Sequence, residues 1–81
     1  MSRRILVIDD EQGIRDALSQ LLEFEGYEVR TEASGAAGLA AYEQFWPQLV
    51  FLDVKMAGLD GMETLRRLRA LDPYKLAIDA K

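Results

Sequence analysis

The sequence predicts an α/β domain built on an open parallel sheet. Two observations carry this: short β-branched runs alternate with stretches of helical periodicity, and a glycine, proline or acidic break separates most of them. Strands alternating with helices imply parallel pairing through right-handed crossovers. With 81 residues the chain holds one small domain. A domain of that size buries only about 60% of its unfolded surface, so its core is thin.

Arg4-Ile5-Leu6-Val7-Ile8 is a continuous apolar run and reads as a strand buried on both faces. Asp9-Asp10-Glu11 stops it. Ile14, Ala17, Leu18, Leu21 and Leu22 then recur at helical spacing, and Gly26 suits the left-handed position that ends a helix. Residues 27–32 alternate weakly, as an edge strand does. Ser34 caps a second, alanine-rich helix from about Gly35 to Phe45, which Trp46-Pro47 breaks. Gln48 to Leu52 is the third strand. Asp60 and Glu63 have capping-box spacing ahead of Met62, Leu65 and Leu68, the apolar line of a third helix that Asp72-Pro73 ends. Residues 1–73 therefore form the domain, and 74–81 a tail with at most a short strand at Lys75 to Ile78.

Composition narrows the function. The chain is 49% hydrophobic and 30% charged, as globular domains are. A net charge of −4 argues against nucleic acid and anionic membranes as partners. Arg66, Arg67 and Arg69 read as a solvated helix face. No cysteine is present, so there is no disulfide framework and no thiolate metal site, which is compatible with the cytoplasm. No histidine is present either, which removes the commonest transition-metal ligand and general base. The apolar run Ile5 to Ile8 is too short for a signal peptide or a membrane span.

The acids are the informative residues. The first strand ends at Asp9-Asp10 and the third at Asp53. Open parallel sheets bind ligands beyond the carboxyl ends of their strands, where strand order reverses. With the first strand between the second and third, the three carboxylates share that crevice. Gathered carboxylates repel unless a cation neutralises them, and Mg²⁺ favours one or two carboxylates, water and phosphate oxygens. A carboxylate can also act as a nucleophile and form an aspartyl phosphate. The plainer readings are that Asp9 and Asp10 cap the first helix, Asp53 ends a strand at a turn, and Asp60 caps. There is no G-x-G-x-x-G after the first strand and no G-x-x-x-x-G-K-[ST], so a nucleotide-binding α/β domain is a poor reading. A dehalogenase-like phosphatase needs a second Asp two residues after the first, where Lys55 stands.

At these residues the chain resembles the receiver domain of two-component response regulators. "ILVIDDE" looks like that family's first strand and acidic pair, "LLEFEGYEV" like the end of its first helix and its second strand, and "LVFLDVKMAGLDGMETLRRLR" like its third strand, phosphorylation site and third helix. The resemblance runs from about Arg4 to Pro73, with Ala57 where the family usually has proline. It implies a flavodoxin-like sheet, here partial, with strand order 2-1-3. It implies that Asp53 accepts a phosphoryl group from a histidine kinase or a small acyl phosphate. Asp10 would ligate Mg²⁺ directly, Asp9 through water, and Lys55 through its backbone carbonyl, with Asp53 completing the metal site. Gly58 and Gly61 would permit the turn, and Met56 would pack. Such a domain is a phosphoacceptor module rather than a turnover enzyme.

The family's pattern has five β/α units, with a hydroxyl residue ending strand four and a lysine ending strand five. Three units are expected here, and neither Thr64 nor Lys75 stands in for those two residues. The expectation is a truncated or engineered domain whose switching output is lost. Its third strand would lie at an exposed edge unless the tail covers it. Homodimerisation through that edge, or by swapped tails, would complete the sheet. The alternative function is a non-signalling homodimeric half-domain without phosphoacceptor activity.

Overall fold

The computed structural model describes residues 3–56, 60–71 and 76–79, with Asp60 and 76–79 described by backbone alone. The order is β1 (Arg4–Ile8), α1 (Gln12–Phe24), β2 (Glu28–Glu32), α2 (Gly35–Phe45), β3 (Leu49–Asp53), α3 (Asp60–Leu71) and β4 (Leu76–Asp79). The strands form one sheet in the order β2-β1-β3-β4, and every pairing is parallel. The expected 2-1-3 arrangement is thus present, with a fourth strand added.

That fourth strand is the tail covering the third, the condition set on an exposed edge. β3 is not an edge: β4 pairs along it from Val50↔Leu76 to Asp53↔Asp79. The backbone groups of β3 are therefore engaged on both sides within one chain, and the route to a dimer through a bare β3 edge is closed. The strand also runs one residue later than Lys75 to Ile78; Lys75 itself lies outside the described residues. So do Ala57 and Gly58 of the expected turn.

The two faces of the sheet differ because strand side chains alternate. Leu6 and Ile8 of β1 and Val50 and Leu52 of β3 join Ala41 of α2 and Leu65 and Leu68 of α3 in one buried cluster, with Met56 at its end. Met56 thus packs, as expected. α2 and α3 lie against each other on this face. α1 packs on β1 and β2, its Leu22 lining a cavity with Ile5, Tyr27 and Leu49. None of its residues is buried.

Local signals behave as their chemistry dictates. Ser34 Oγ accepts the Ala37 N–H at 3.2 Å, capping α2. Gly26 ends α1 with φ +95, a backbone conformation that is cheap only for glycine. Trp46 ends α2 in the same left-handed region, φ 53, and donates its N–H to the Tyr42 carbonyl. Pro47 disfavours the α-helical conformation for the residue before it, which helps to stop the helix there. Gly61 is buried in the first turn of α3, where a Cβ would meet the backbone of Val54, with Val54 Cα at 2.7 Å. Its role is close approach of α3 to the end of β3, rather than the freedom of a turn.

Candidate functional site

The parallel register builds the site. Ile8 pairs with Leu52, and each is followed by an aspartate, so Asp9 and Asp53 leave neighbouring strands at the same level. Asp9 is fully buried, Asp53 half-buried and Asp10 exposed. One carboxylate oxygen from each of the three lies within 4.8 Å of the others. Residues 43 positions apart in sequence thus converge because β1 sits beside β3.

Hydrogen bonds hold the loops that carry these acids. Asp9 N–H donates to the Glu32 carbonyl at 3.1 Å, tying the end of β1 to the end of β2. Asp9 Oδ1 accepts the Glu11 N–H at 2.9 Å, just ahead of α1. The plainer reading made Asp9 and Asp10 caps of α1; the N-cap position is Glu11, and Asp9 Oδ1 instead holds the N–H of that residue, which leaves the convergence intact. Arg15 Nη1 donates to the Asp9 carbonyl at 2.7 Å, so α1 helps to fix the acidic loop. On the other side, Asp53 Oδ1 accepts the Lys55 N–H at 2.9 Å, and this closes the turn after β3. The Lys55 side chain is exposed.

The donor set fits a hard divalent cation. Three carboxylates within one coordination sphere, with no nitrogen or sulfur donor in the group, match the oxygen preference of Mg²⁺. Asp10 is exposed, so the group of carboxylates reaches solvent.

Sequence reasoning missed one participant, Arg15, and stopped the fourth strand one residue short of Asp79. Arg15 acts through a backbone carbonyl, for which the sequence carries no signal. Asp79 ends β4 at the position paired with Asp53. Its signal was present: "LAID" repeats the aliphatic-run-then-aspartate pattern of "LVID" and "VFLD". Thr64 is buried in α3, remote in role from any strand end.

The family model of the response regulator receiver domain matches residues 5–78. The chain belongs to the response regulator receiver family. This receiver domain is 39% identical over 72 residues to sporulation initiation phosphotransferase F of Bacillus subtilis, a match covering 89% of the chain and 58% of that protein. Transcriptional regulatory protein AfsQ1 of Streptomyces coelicolor is 43% identical over 74 residues, which cover 91% of the chain and 33% of the regulator. The receiver domain therefore spans little more than half of the first relative and a third of the second.

Among solved structures, TrrA of Thermotoga maritima in complex with Mg²⁺-BeF superposes with a TM-score of 0.81 at 37% identity, over 94% of this chain and 65% of that one. TrrA has also been solved in complex with the histidine kinase ThkA, with a TM-score of 0.83 at 36% identity over 94% and 66% of the two chains. Among the described residues no helix is long and apolar enough to cross a membrane.

Proposed function

We propose that this receiver domain accepts a phosphoryl group on Asp53 in a Mg²⁺-dependent reaction, with a histidine kinase or a small acyl phosphate as donor. The observation that carries the reading is the convergence of Asp9, Asp10 and Asp53 within 4.8 Å. The solved complexes of TrrA with Mg²⁺-BeF and with a histidine kinase support it by likeness.

Asp53 is the nucleophile. A carboxylate oxygen attacks phosphorus, the bond from phosphorus to the donor's nitrogen or acyl oxygen breaks, and the leaving group keeps the electron pair. Its half-buried place at the end of a strand aims it, and the Lys55 N–H holds one of its oxygens, leaving the second to attack. Asp10 directly, Asp9 through water, Asp53 and the Lys55 carbonyl would hold the cation. When bound, Mg²⁺ offsets the charge of the phosphoryl oxygens as it develops in the transition state. Rigid anchoring of Asp9 by Glu11 and Glu32 keeps its carboxylate in place without reorganisation.

Intact-protein mass after incubation with acetyl phosphate tests the reading. A gain of one phosphoryl group is expected with Mg²⁺, and none without Mg²⁺ or in Asp53→Asn. A folded protein that gains no mass with Mg²⁺ refutes it.

A second reading rests on a separate observation. Leu21 and Phe24 of α1 are 58% and 87% exposed, an apolar surface that suits association of two copies. In that reading the chain is a homodimeric half-domain without phosphoacceptor activity, and exchange of the β4 segments is the remaining way to share a sheet. Light scattering at micromolar concentration decides whether copies associate; a compact monomer removes this reading.

A further inference from the structure

A ring of three hydrogen bonds closes the loop that carries Asp9 and Asp10. Asp9 Oδ1 accepts the Glu11 N–H at 2.9 Å. The Glu11 carbonyl accepts the Arg15 N–H at 3.1 Å, in the first turn of α1. Arg15 Nη1 returns to the Asp9 carbonyl at 2.7 Å. Asp10 lies within this ring, exposed, with the chain held on both sides of it. The Asp9 carbonyl and the Asp10 N–H belong to one planar peptide unit, so holding that oxygen fixes the rotations on either side of the unit. One of these is the φ of Asp10, which directs its Cβ and its carboxylate. The Arg15 bond has a charged donor, which makes it roughly twice as strong as a neutral one.

We propose that Arg15 is a positioning residue of the cation site: by clamping the Asp9–Asp10 peptide it holds the Asp10 carboxylate beside those of Asp9 and Asp53. This role rests on the proposed Mg²⁺ role of the three acids and adds a residue that acts through the backbone. An exposed carboxylate on a short loop has rotational freedom to lose, so the clamp acts chiefly on Asp10. A role through charge alone has the opposite sign. A guanidinium near a cation site repels the cation, so its removal would tighten binding if charge were all that mattered. Groups that orient metal ligands from outside the coordination sphere do the reverse, and their loss typically weakens metal binding by about 10- to 100-fold.

The test is Mg²⁺ binding measured by isothermal calorimetry on the 81-residue chain, which needs no phosphoryl transfer. Arg15→Met keeps an unbranched stem and removes donor and charge. It is expected to weaken Mg²⁺ binding about tenfold. Arg15→Lys keeps the charge and a donor but not the planar fork, and its affinity should fall between those of the parent and Arg15→Met. Parent-like affinity in Arg15→Met overturns the proposal and leaves Arg15 a structural residue, whatever the melting temperature does. Tighter binding overturns it in favour of charge alone. NMR of the Arg15 guanidinium gives a second answer on the unsubstituted chain, free of any folding defect. Its Nη protons should remain held at saturating Mg²⁺; their release on Mg²⁺ binding overturns the proposal. Phosphorylation of Asp53 with no effect of Arg15→Met on Mg²⁺ affinity leaves the proposed function standing and removes Arg15 from the site. Absence of phosphorylation in a parent chain whose Mg²⁺ affinity does fall in Arg15→Met removes the proposed function and keeps Arg15 as the clamp. A parent chain that takes up no Mg²⁺ overturns both.

Discussion

The helices on the two faces of the sheet are buried to different depths. On one, Leu6, Ile8, Val50 and Leu52 are almost wholly buried beneath α2 and α3. On the other, Ile5 and Val7 are buried as well, yet α1, the only helix there among the described residues, buries no residue of its own completely. Yet α1 has the cleaner apolar stripe in sequence, while α2 is alanine- and glycine-rich with no pronounced stripe. A helix's own pattern therefore does not decide how deeply it is buried. Two helices packed side by side shield each other and the strands below; a single helix leaves its flanks wet. The small residues of α2 are what allow that close double layer, since Gly38 lies so near Ile8 that a Cβ there would overlap its side chain.

The contrast can be broken at its deep side first. Leu52→Ala is expected to cost about 3–4 kcal/mol, because it leaves a cavity under two helices that cannot collapse together. Urea unfolding measures it. Gly61→Ala should cost about 3 kcal/mol, since the added methyl meets Val54 backbone rather than a side chain that can turn away. Ser34→Ala removes the cap that starts α2 and should cost about 1 kcal/mol in the same assay. On the shallow face, Leu21→Ala should change stability by less than about 0.5 kcal/mol, since a side chain that is 58% exposed loses little burial and alanine is a good helix former. A loss from Leu21→Ala equal to that from Leu52→Ala would end the comparison.

The smallest effect concerns pH. The hydrogen bond from Arg67, with the charges of Arg67 and Arg66 beside it, holds the Glu63 carboxyl below its ordinary value of 4.5. The folded value lies below the unfolded one, so the contribution is fully present above about 4.5 and is lost as pH falls through the lowered folded value. Glu63→Gln should therefore narrow the gap in melting temperature from the parent below that pH and leave a small, constant difference at neutral pH. Because Glu63 and both arginines are exposed, the difference should also shrink with added salt.

What could be read in sequence was what local chemistry dictates. The run Ile5 to Ile8, the Ser34 cap and the glycine at 26 each act within a few residues, and each stands where expected. The convergence of the acids was legible because two apolar runs end in aspartate, and the strand register sets those ends at one level. The fourth strand was harder. Leu76–Asp79 is short, and its place depends on pairing with β3, a contact across the fold that its own residues do not encode. Ending it at Ile78 also hid Asp79. The exposure of α1 was illegible for the opposite reason: periodicity says which side of a helix is apolar, and nothing about how many neighbours will cover it. The Asp60 cap and the Gly58 turn fall outside the residues whose side chains are described.

One further property follows from the position of Trp46. It is the only tryptophan, 67% exposed, and its carbonyl accepts from Arg4 Nε at the start of β1. The acidic row stands at the other end of the same strands, about 16 Å away at 3.3 Å per residue. Its emission should therefore be deaf to the filling of the crevice, and an indole already largely in water should shift little when the chain melts. That gives this molecule a built-in optical reference: a steady indole signal counts the protein present while mass or heat reports on the far pole.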